Sequence, residues 1–295
     1  MHLRSLFGAV LALPLVWPTA HAAQSSYDID RIRWNAPQKP FHIYGNTWYV
    51  GPHGLSSILV DTGQGLALFD GDLPESAAQI EAHIRTLGFR VRDVRWILNS
   101  HAHSDHAGGI VALHAASGAE VLASAAGARE LELGGADPGD PQYGLAPRYT
   151  PVKRVHVVRD GEILQLGRVV VTAHYTPGHT PGSTSWTWTS CEARRCLRMA
   201  YADSLSALAA PGYRFVDHPA YVAAFRKSLA TVAALPCDVL LTPHPDASGF
   251  WEKVAKRKSA GDAAPLVDPQ ACRSYAAAAA KNLDAQLAKE HTAAK

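Results

Sequence analysis

The amino-acid sequence predicts an α/β fold. Short apolar runs of strand length alternate with longer segments that carry helix start and stop signals. Strand clusters occur in both halves of the chain, with neither a low-complexity linker nor an internal repeat between them. Hydrophobic residues make up 47% and charged residues 18%, the composition of a folded chain rather than a disordered one. At 295 residues one α/β domain accounts for the whole length after an N-terminal leader.

That leader is residues 1–22. Arg4 precedes an apolar run from Leu6 to Trp17, and Ala20-His21-Ala22 is a small-x-small cleavage signal. The run is too short for a permanent membrane span. The expectation is a chain cut after Ala22 and exported to the periplasm, with 23–295 as its single domain. From there, Thr47–Val50, Ser57–Val60 and Leu66–Phe69 read as strands, the last two joined by the turn Asp61-Thr62-Gly63-Gln64-Gly65. Pro74–Leu87 reads as a helix, with Pro at its start and Gly88 past its end. Val94–Asn99 is a buried strand, Ile110–Ala116 a helix closed by Gly118, Glu120–Ala123 a strand and Ala125–Leu133 a helix. Residues 134–151 are Gly/Pro-rich and aperiodic, too long for a plain connector, and are expected to wall a site with Tyr143 and Leu145. Val155–Val158, Ile163–Leu166, Val169–His174, Ser183–Thr189 and Arg198–Ala202 are strands. Ala220–Leu235 is a helix, Asp238–Thr242 a buried strand and Ala276–Lys289 the last helix.

Lys plus Arg total 28 against 26 Asp plus Glu, which argues against nucleic acid or an anionic membrane as the main partner and disfavours a nuclease. Four cysteines in an exported chain suggest two disulfides. Of the three pairings, Cys191–Cys196 around a short polar turn and Cys237–Cys272 are favoured. A zinc site built from these thiols fits their spacing poorly.

The fifteen histidines carry the strongest signal. His101-Ala102-His103-Ser104-Asp105-His106 follows a buried strand. Alternation puts His101 and His103 on one side, while Asp105 and His106 open the turn into a helix. His179, in Thr176-Pro177-Gly178-His179-Thr180-Pro181-Gly182-Ser183, and His244, in Thr242-Pro243-His244-Pro245, end two further strands in Pro/Gly corners. Together these six imidazole and carboxylate groups suit a borderline metal such as zinc. His114, His174 and His218 lack this setting and read as structural.

These motifs, with Tyr201-Ala202-Asp203-Ser204-Leu205-Ser206, Ala210-Pro211-Gly212-Tyr213 and Leu235-Pro236-Cys237-Asp238, resemble the metallo-β-lactamase superfamily, and within it subclass B3, from about Trp34 to the C-terminal helix. The resemblance implies an αββα sandwich, two sheets face to face with helices outside and the site at one edge. It implies two zinc ions per chain, the first on His101, His103 and His179, the second on Asp105, His106 and His244. It implies hydrolysis of small-molecule β-lactams by hydroxide generated at the metals, hence antibiotic resistance, in a soluble monomer. Asp105 would also orient the hydroxide. Ser204 and Ser206 would bind the substrate carboxylate, away from the metals, and Tyr213 could donate to the oxyanion. Two alternatives stand beside this reading. One is a lactonase, thioesterase or phosphodiesterase of the same superfamily with Asp203 bridging the metals; the other is a zinc-sequestering protein without catalysis.

Overall fold

The computed structural model describes residues 21–293. The leader reading falls on residues of which 1–20 lie outside this range. No helix among the described residues is long and apolar enough to cross a membrane.

The chain opens with helix α1 (His21–Trp34), then strands β1 (Phe41–Tyr44), β2 (Thr47–Tyr49), β3 (Ile58–Asp61) and β4 (Leu66–Phe69). Helix α2 (Ser76–Thr86), β5 (Val94–Leu98), the one-turn α3 (Ser104–Ala107), α4 (Ile110–Ser117), β6 (Glu120–Ala123), α5 (Ala125–Glu132) and β7 (Val155–Val157) complete the first half. The second half holds β8 (Ile163–Leu166), β9 (Val169–Tyr175), β10 (Thr184–Glu192), β11 (Arg195–Tyr201), α6 (Pro219–Ala233), β12 (Val239–Leu241), α7 (Phe250–Ala255) and α8 (Ala271–Ala293). Strands β1 to β7 form one sheet in sequence order, and β12-β11-β10-β9-β8 form the other. The expected strands and helices are present, with ends shifted by a few residues. β1, α7 and α1 were not anticipated.

The period-two alternation of the strands explains how four layers assemble. Ile58, Val60, Ala67, Phe69 and Leu98 point between the sheets, where they meet Trp186, Trp188, Met199 and Tyr201 of the second sheet. The Phe69 and Trp188 rings stack there with centroids 4.7 Å apart. Leu59, Leu66, Leu68 and Ile97 point the other way, onto Ile80 and Ile84 of α2 and Leu113 of α4. On the outer face of the second sheet, Ala200 and Leu240 pack against Phe225 and Leu229 of α6 and Ala279 and Leu283 of α8. Both faces of each central strand are therefore buried, which is why these strands read as unbroken apolar runs. The result is the αββα sandwich. His101, His179, Ser204 and His244 follow β5, β9, β11 and β12 and so collect along one edge.

Both disulfides are formed as expected, and no cysteine is free. Cys191 and Cys196 face each other across the β10–β11 hairpin. Cys237 ties the start of β12 to Cys272 in the first turn of α8. In the chain-entropy model the 35-residue separation of the second pair corresponds to about 4 kcal/mol and the 5-residue separation of the first to about 2 kcal/mol. Replacing Cys237 and Cys272 together with Ala should lower the unfolding free energy by about 3–4 kcal/mol in a denaturant titration, and replacing Cys191 and Cys196 by about half that.

Candidate metal centre

The loop that carries His101 to His106 is braced before it begins. Asp70, directly after β4, is fully buried at φ 58°. Its carboxylate accepts from Asn99 Nδ2 at 3.0 Å, Ser100 N at 2.7 Å, Ser100 Oγ at 2.6 Å and Tyr201 Oη at 2.8 Å. Burial raises its pKa to about 6, with nearby His106 and the hydrogen bonds acting the other way, so it is ionised at neutral pH. Beyond the loop, Gly109 lies against the Gly71 carbonyl so closely that a Cβ would collide with it, and Gly178 lies equally close to the Phe225 ring. These contacts set the approach of the two His-bearing loops.

His101, His103 and His179 form a triangle of rings with centroids 4.7 to 4.9 Å apart, each pair steeply inclined. Each ring is fixed by a hydrogen bond from the nitrogen that faces away from its partners. His101 Nδ1 donates to Asp203 Oδ1 at 2.7 Å, His103 Nε2 to Asp140 Oδ2 at 2.8 Å, and His179 Nδ1 to the Ser206 carbonyl at 3.0 Å. This selects the tautomer and aims the remaining lone pair of each ring into a common space. His101 Nε2 is buried there without a hydrogen-bond partner. Burial and the neighbouring histidines hold the pKa of His101 and of His179 well below the usual range, which keeps both rings neutral. Burial also works against a charged His103, but the Asp140 hydrogen bond together with the charges of Asp140, Glu130 and Asp105 raises that pKa.

Asp105, His106 and His244 form a second group beside the first, with the His106 ring 4.3 Å from that of His101. Asp105 Oδ2 is 3.2 Å from His106 Nε2 and 3.3 Å from His244 Nε2, and the two nitrogens are 3.2 Å apart. Ligands at ~2.0–2.1 Å from a tetrahedral ion are separated by roughly 3.3 Å. The spacing of this donor set therefore fits an ion of zinc's size, and the unpaired His101 nitrogen makes the same case for the first group. Burial opposes an ionised Asp105, yet the His106 and His244 contacts hold its pKa well below the carboxylate range. His106 is raised to about 9, again against burial, by Asp105.

The two groups lie at the floor of a groove of about 280 Å³. Its walls include residues the sequence reading missed. Tyr27, Asp30 and Trp34 of α1 face it at i, i+3 and i+7, a helical spacing visible in the sequence only once 23–34 is read as a helix. From the 134–151 segment come Gln142, Leu145 and Ala146, whereas Tyr143 does not line the groove and is 42% exposed. Asp140, also missed, accepts from the Gln142 backbone through Oδ1 while Oδ2 holds His103. Glu130 is buried beside Asp140 and His103, and burial pushes its pKa to about 8.

The softer expectations divide. Ser204 and Ser206 both line the groove, but Ser206 Oγ is 2.9 Å from His179 Nδ1, so it supports a donor of the first group rather than standing clear of it. Tyr213 does not line the groove. Its ring stacks on His218 at 4.5 Å and meets Phe215 edge-on. Asp203 is in neither donor group; its Oδ1 accepts from His101, while its Oδ2 is buried without a hydrogen-bond partner. His114 and His174 bond the Ala119 carbonyl and Thr187 Oγ1, as structural histidines.

Comparison with known proteins agrees with this geometry. The structure of MEM-A1, a subclass B3 metallo-β-lactamase from a soil metagenome library, is 50% identical, with a TM-score of 0.85 over 88% of this chain and 99% of that one. The Rm3 metallo-β-lactamase is 48% identical, with a TM-score of 0.85 over 93% of this chain and all of that one. A curated hydroxyacylglutathione hydrolase of Anaeromyxobacter dehalogenans (strain 2CP-C) is 34% identical over 130 residues, 44% of this chain and 40% of that protein. The chain thus spans less than half the length of that relative. The family model for the metallo-β-lactamase superfamily matches residues 43–192, half of the chain and the part that builds both loops of the first donor group. With a four-layer sandwich carrying His101, His103 and His179 at its edge, the chain belongs to the metallo-β-lactamase superfamily.

Proposed function

We propose that this protein is an exported dizinc β-lactam hydrolase that opens the four-membered ring of penicillins, cephalosporins or carbapenems and so confers antibiotic resistance. The observation that carries the reading is the pair of donor groups set side by side at the floor of an open groove. A purely structural or sequestering site would be closed by a fourth protein ligand. Similarity to solved β-lactamases at 40–50% identity supports the choice of substrate. The leader over 1–22 supports export to the periplasm as a single 23–295 domain.

His101, His103 and His179 would hold one zinc ion, and Asp105, His106 and His244 the other. Zinc supplies Lewis acidity and a nucleophilic water at neutral pH. The chain's own residues do the rest. Asp203, Asp140 and Ser206 keep three imidazoles in the tautomer that offers a lone pair inward. Asp105 directs Oδ2 at His106 and His244, leaving Oδ1 to orient the attacking water. The Ser204 hydroxyl donates to the substrate carboxylate at the groove wall. Trp34, Leu145 and Leu208 give the acyl side chain an apolar surface and thin the water around the reacting carbonyl. The place of Asp203 outside both donor groups, and the similarity to solved β-lactamases, favour this over a bridging-Asp thioesterase or lactonase, although curated relatives carry the name hydroxyacylglutathione hydrolase.

Elemental analysis of zinc-loaded protein should give about two ions per chain. Chelation should abolish hydrolysis of a chromogenic cephalosporin; turnover that survives full metal removal would sink the mechanism. His179→Ala should lose one ion and nearly all activity while the Asp105 group keeps the other. Asp203→Asn should weaken zinc at the His101 group by about 10–100-fold in a competition titration, as expected for an orienting partner. Loss of the ion at the Asp105 group instead would mark Asp203 as a bridging ligand and move the assignment to the other hydrolases. Ser204→Ala should raise KM several-fold with zinc content and kcat little changed, whereas Ser206→Ala should also loosen zinc at His179.

A further inference from the structure

Glu130 is a buried acid that the metal centre described above leaves without a task. It sits in α5 between Ala128 and Leu131, on the face that the helix buries, and is 1% exposed. Neither of its side-chain oxygens meets an N–H or O–H donor. An ionised carboxylate in such a place loses its hydration and gains nothing in return, so the group is held neutral. The rise of its pKa to about 8 agrees. An apolar side chain would fill the same space without that cost, so stability does not account for an acid here.

What the acid faces is Asp140. The nearest nitrogen and oxygen atoms of His103, Glu130 and Asp140 lie within 4.8 Å of one another. Asp140 comes to this point on a turn that is itself tied to α5. Its N–H donates to the Asp137 carbonyl at 3.0 Å, and Arg129 of α5 donates to Asp137 Oδ1 at 3.2 Å. Asp140 Oδ1 accepts from the Gln142 N–H and Oδ2 from His103 Nε2, both at 2.8 Å. Each carboxylate oxygen has two lone pairs, so there is room for a third donor. A neutral Glu130 supplies it, as an O–H that donates to Asp140.

We propose that Glu130 is a positioning residue for the first metal: its carboxyl O–H holds Asp140 in the orientation that fixes His103, and so keeps the His103 lone pair aimed at the ion. The role rests on the reading of His101, His103 and His179 as a zinc site. Of the two N–H donors to Asp140, one belongs to the ring that is to be positioned and the other lies two residues along the same turn. Neither ties the carboxylate to a rigid element. The Glu130 O–H does, because α5 is a helix capped by the Ser124 side chain and packed against the first sheet. His103 is thus aligned against α5 through two hydrogen bonds in series, and such a series strengthens each of its members. A cation held by Glu130, Asp140 and His103 is the competing occupant of this space. It would have to displace the hydrogen bond from His103 Nε2 to Asp140.

The test is a zinc competition titration on the full chain and three variants. Glu130→Leu and Glu130→Met remove the donor but keep the volume, and Glu130→Gln keeps a donor in its amide. Leu and Met should each weaken zinc at the His101 group by about tenfold, the lower end of the range for orienting partners, and leave the Asp105 group alone. Gln should restore affinity to within about twofold of wild type. With chelator present, so that zinc linkage does not enter, Leu and Met should leave the unfolding midpoint unchanged or raise it. In the background of Asp140→Ala, Glu130→Leu should cost nothing further. An infrared difference spectrum between wild type and Glu130→Gln at mildly acidic pH should show the carbonyl stretch of a protonated carboxylic acid, whether or not the other variants fold. Absence of that band, equal losses for Gln and Leu, or wild-type affinity in Leu and Met would each overturn the role. So would a third ion per chain that disappears in Glu130→Gln, which would make the group a cation site. If the wild-type protein takes up no zinc at the His101 group, the zinc reading itself fails and the role of Glu130 falls with it. If wild type binds zinc and the variants match it, the zinc reading stands and only the role of Glu130 fails.

Discussion

One buried carboxylate holds the arrangement together. Asp70 ends a strand of the first sheet, grips the backbone and hydroxyl of Ser100 just before His101, and accepts from Tyr201 at the end of a strand in the second sheet. A charge at zero exposure is costly unless it is fully hydrogen-bonded. Here four donors meet it, and its pKa is raised only to about 6. Because both sheets contribute donors, the loop bearing three His and one Asp cannot shift without breaking a buried ion's solvation. Two residues beyond Tyr201, Asp203 reaches back to His101, so the same strand end that completes the Asp70 cage also orients a metal donor.

The donor groups themselves are poorly satisfied by protein alone. His101 Nε2 is buried without a partner, and Asp105 is held ionised by two histidines. Such a cluster is stable only because rigid strands enforce it, and a bound cation would return much of that cost as folding free energy. The supporting carboxylates are shared economically. Asp140 fixes His103 and the Gln142 backbone at once, so the 134–151 segment is pinned to the metal centre at the point where it becomes the groove wall.

Substrate-facing surfaces come from elements remote from this rigid floor. Helix α1 lays Tyr27, Asp30 and Trp34 over one side, with the Trp34 ring 5.3 Å from that of His244. The 134–151 segment covers another. The candidate donors thus sit on strand ends, and the groove walls on helices and a loop, which can vary without disturbing the donors.

Sequence alone determined what depends on local pattern. Leu66–Phe69, Glu120–Ala123 and Ile163–Leu166 are strands with the bounds that their apolar runs suggest. The six candidate metal donors stood out because each ends a strand in a Pro/Gly or His-rich corner, and the cysteine pairs because few pairings were possible. Tertiary structure alone decided which polar groups share a space. Tyr213 turns onto His218, Ser206 serves His179, and Asp203 holds His101 from a position 102 residues away in the chain. Asp140, Gln142 and the face of α1 carried no periodic or motif signal strong enough to place them. Periodicity reports which face of an element is buried, but the partners that a buried polar side chain meets are set by the packing of sheets against each other, and that information is not local.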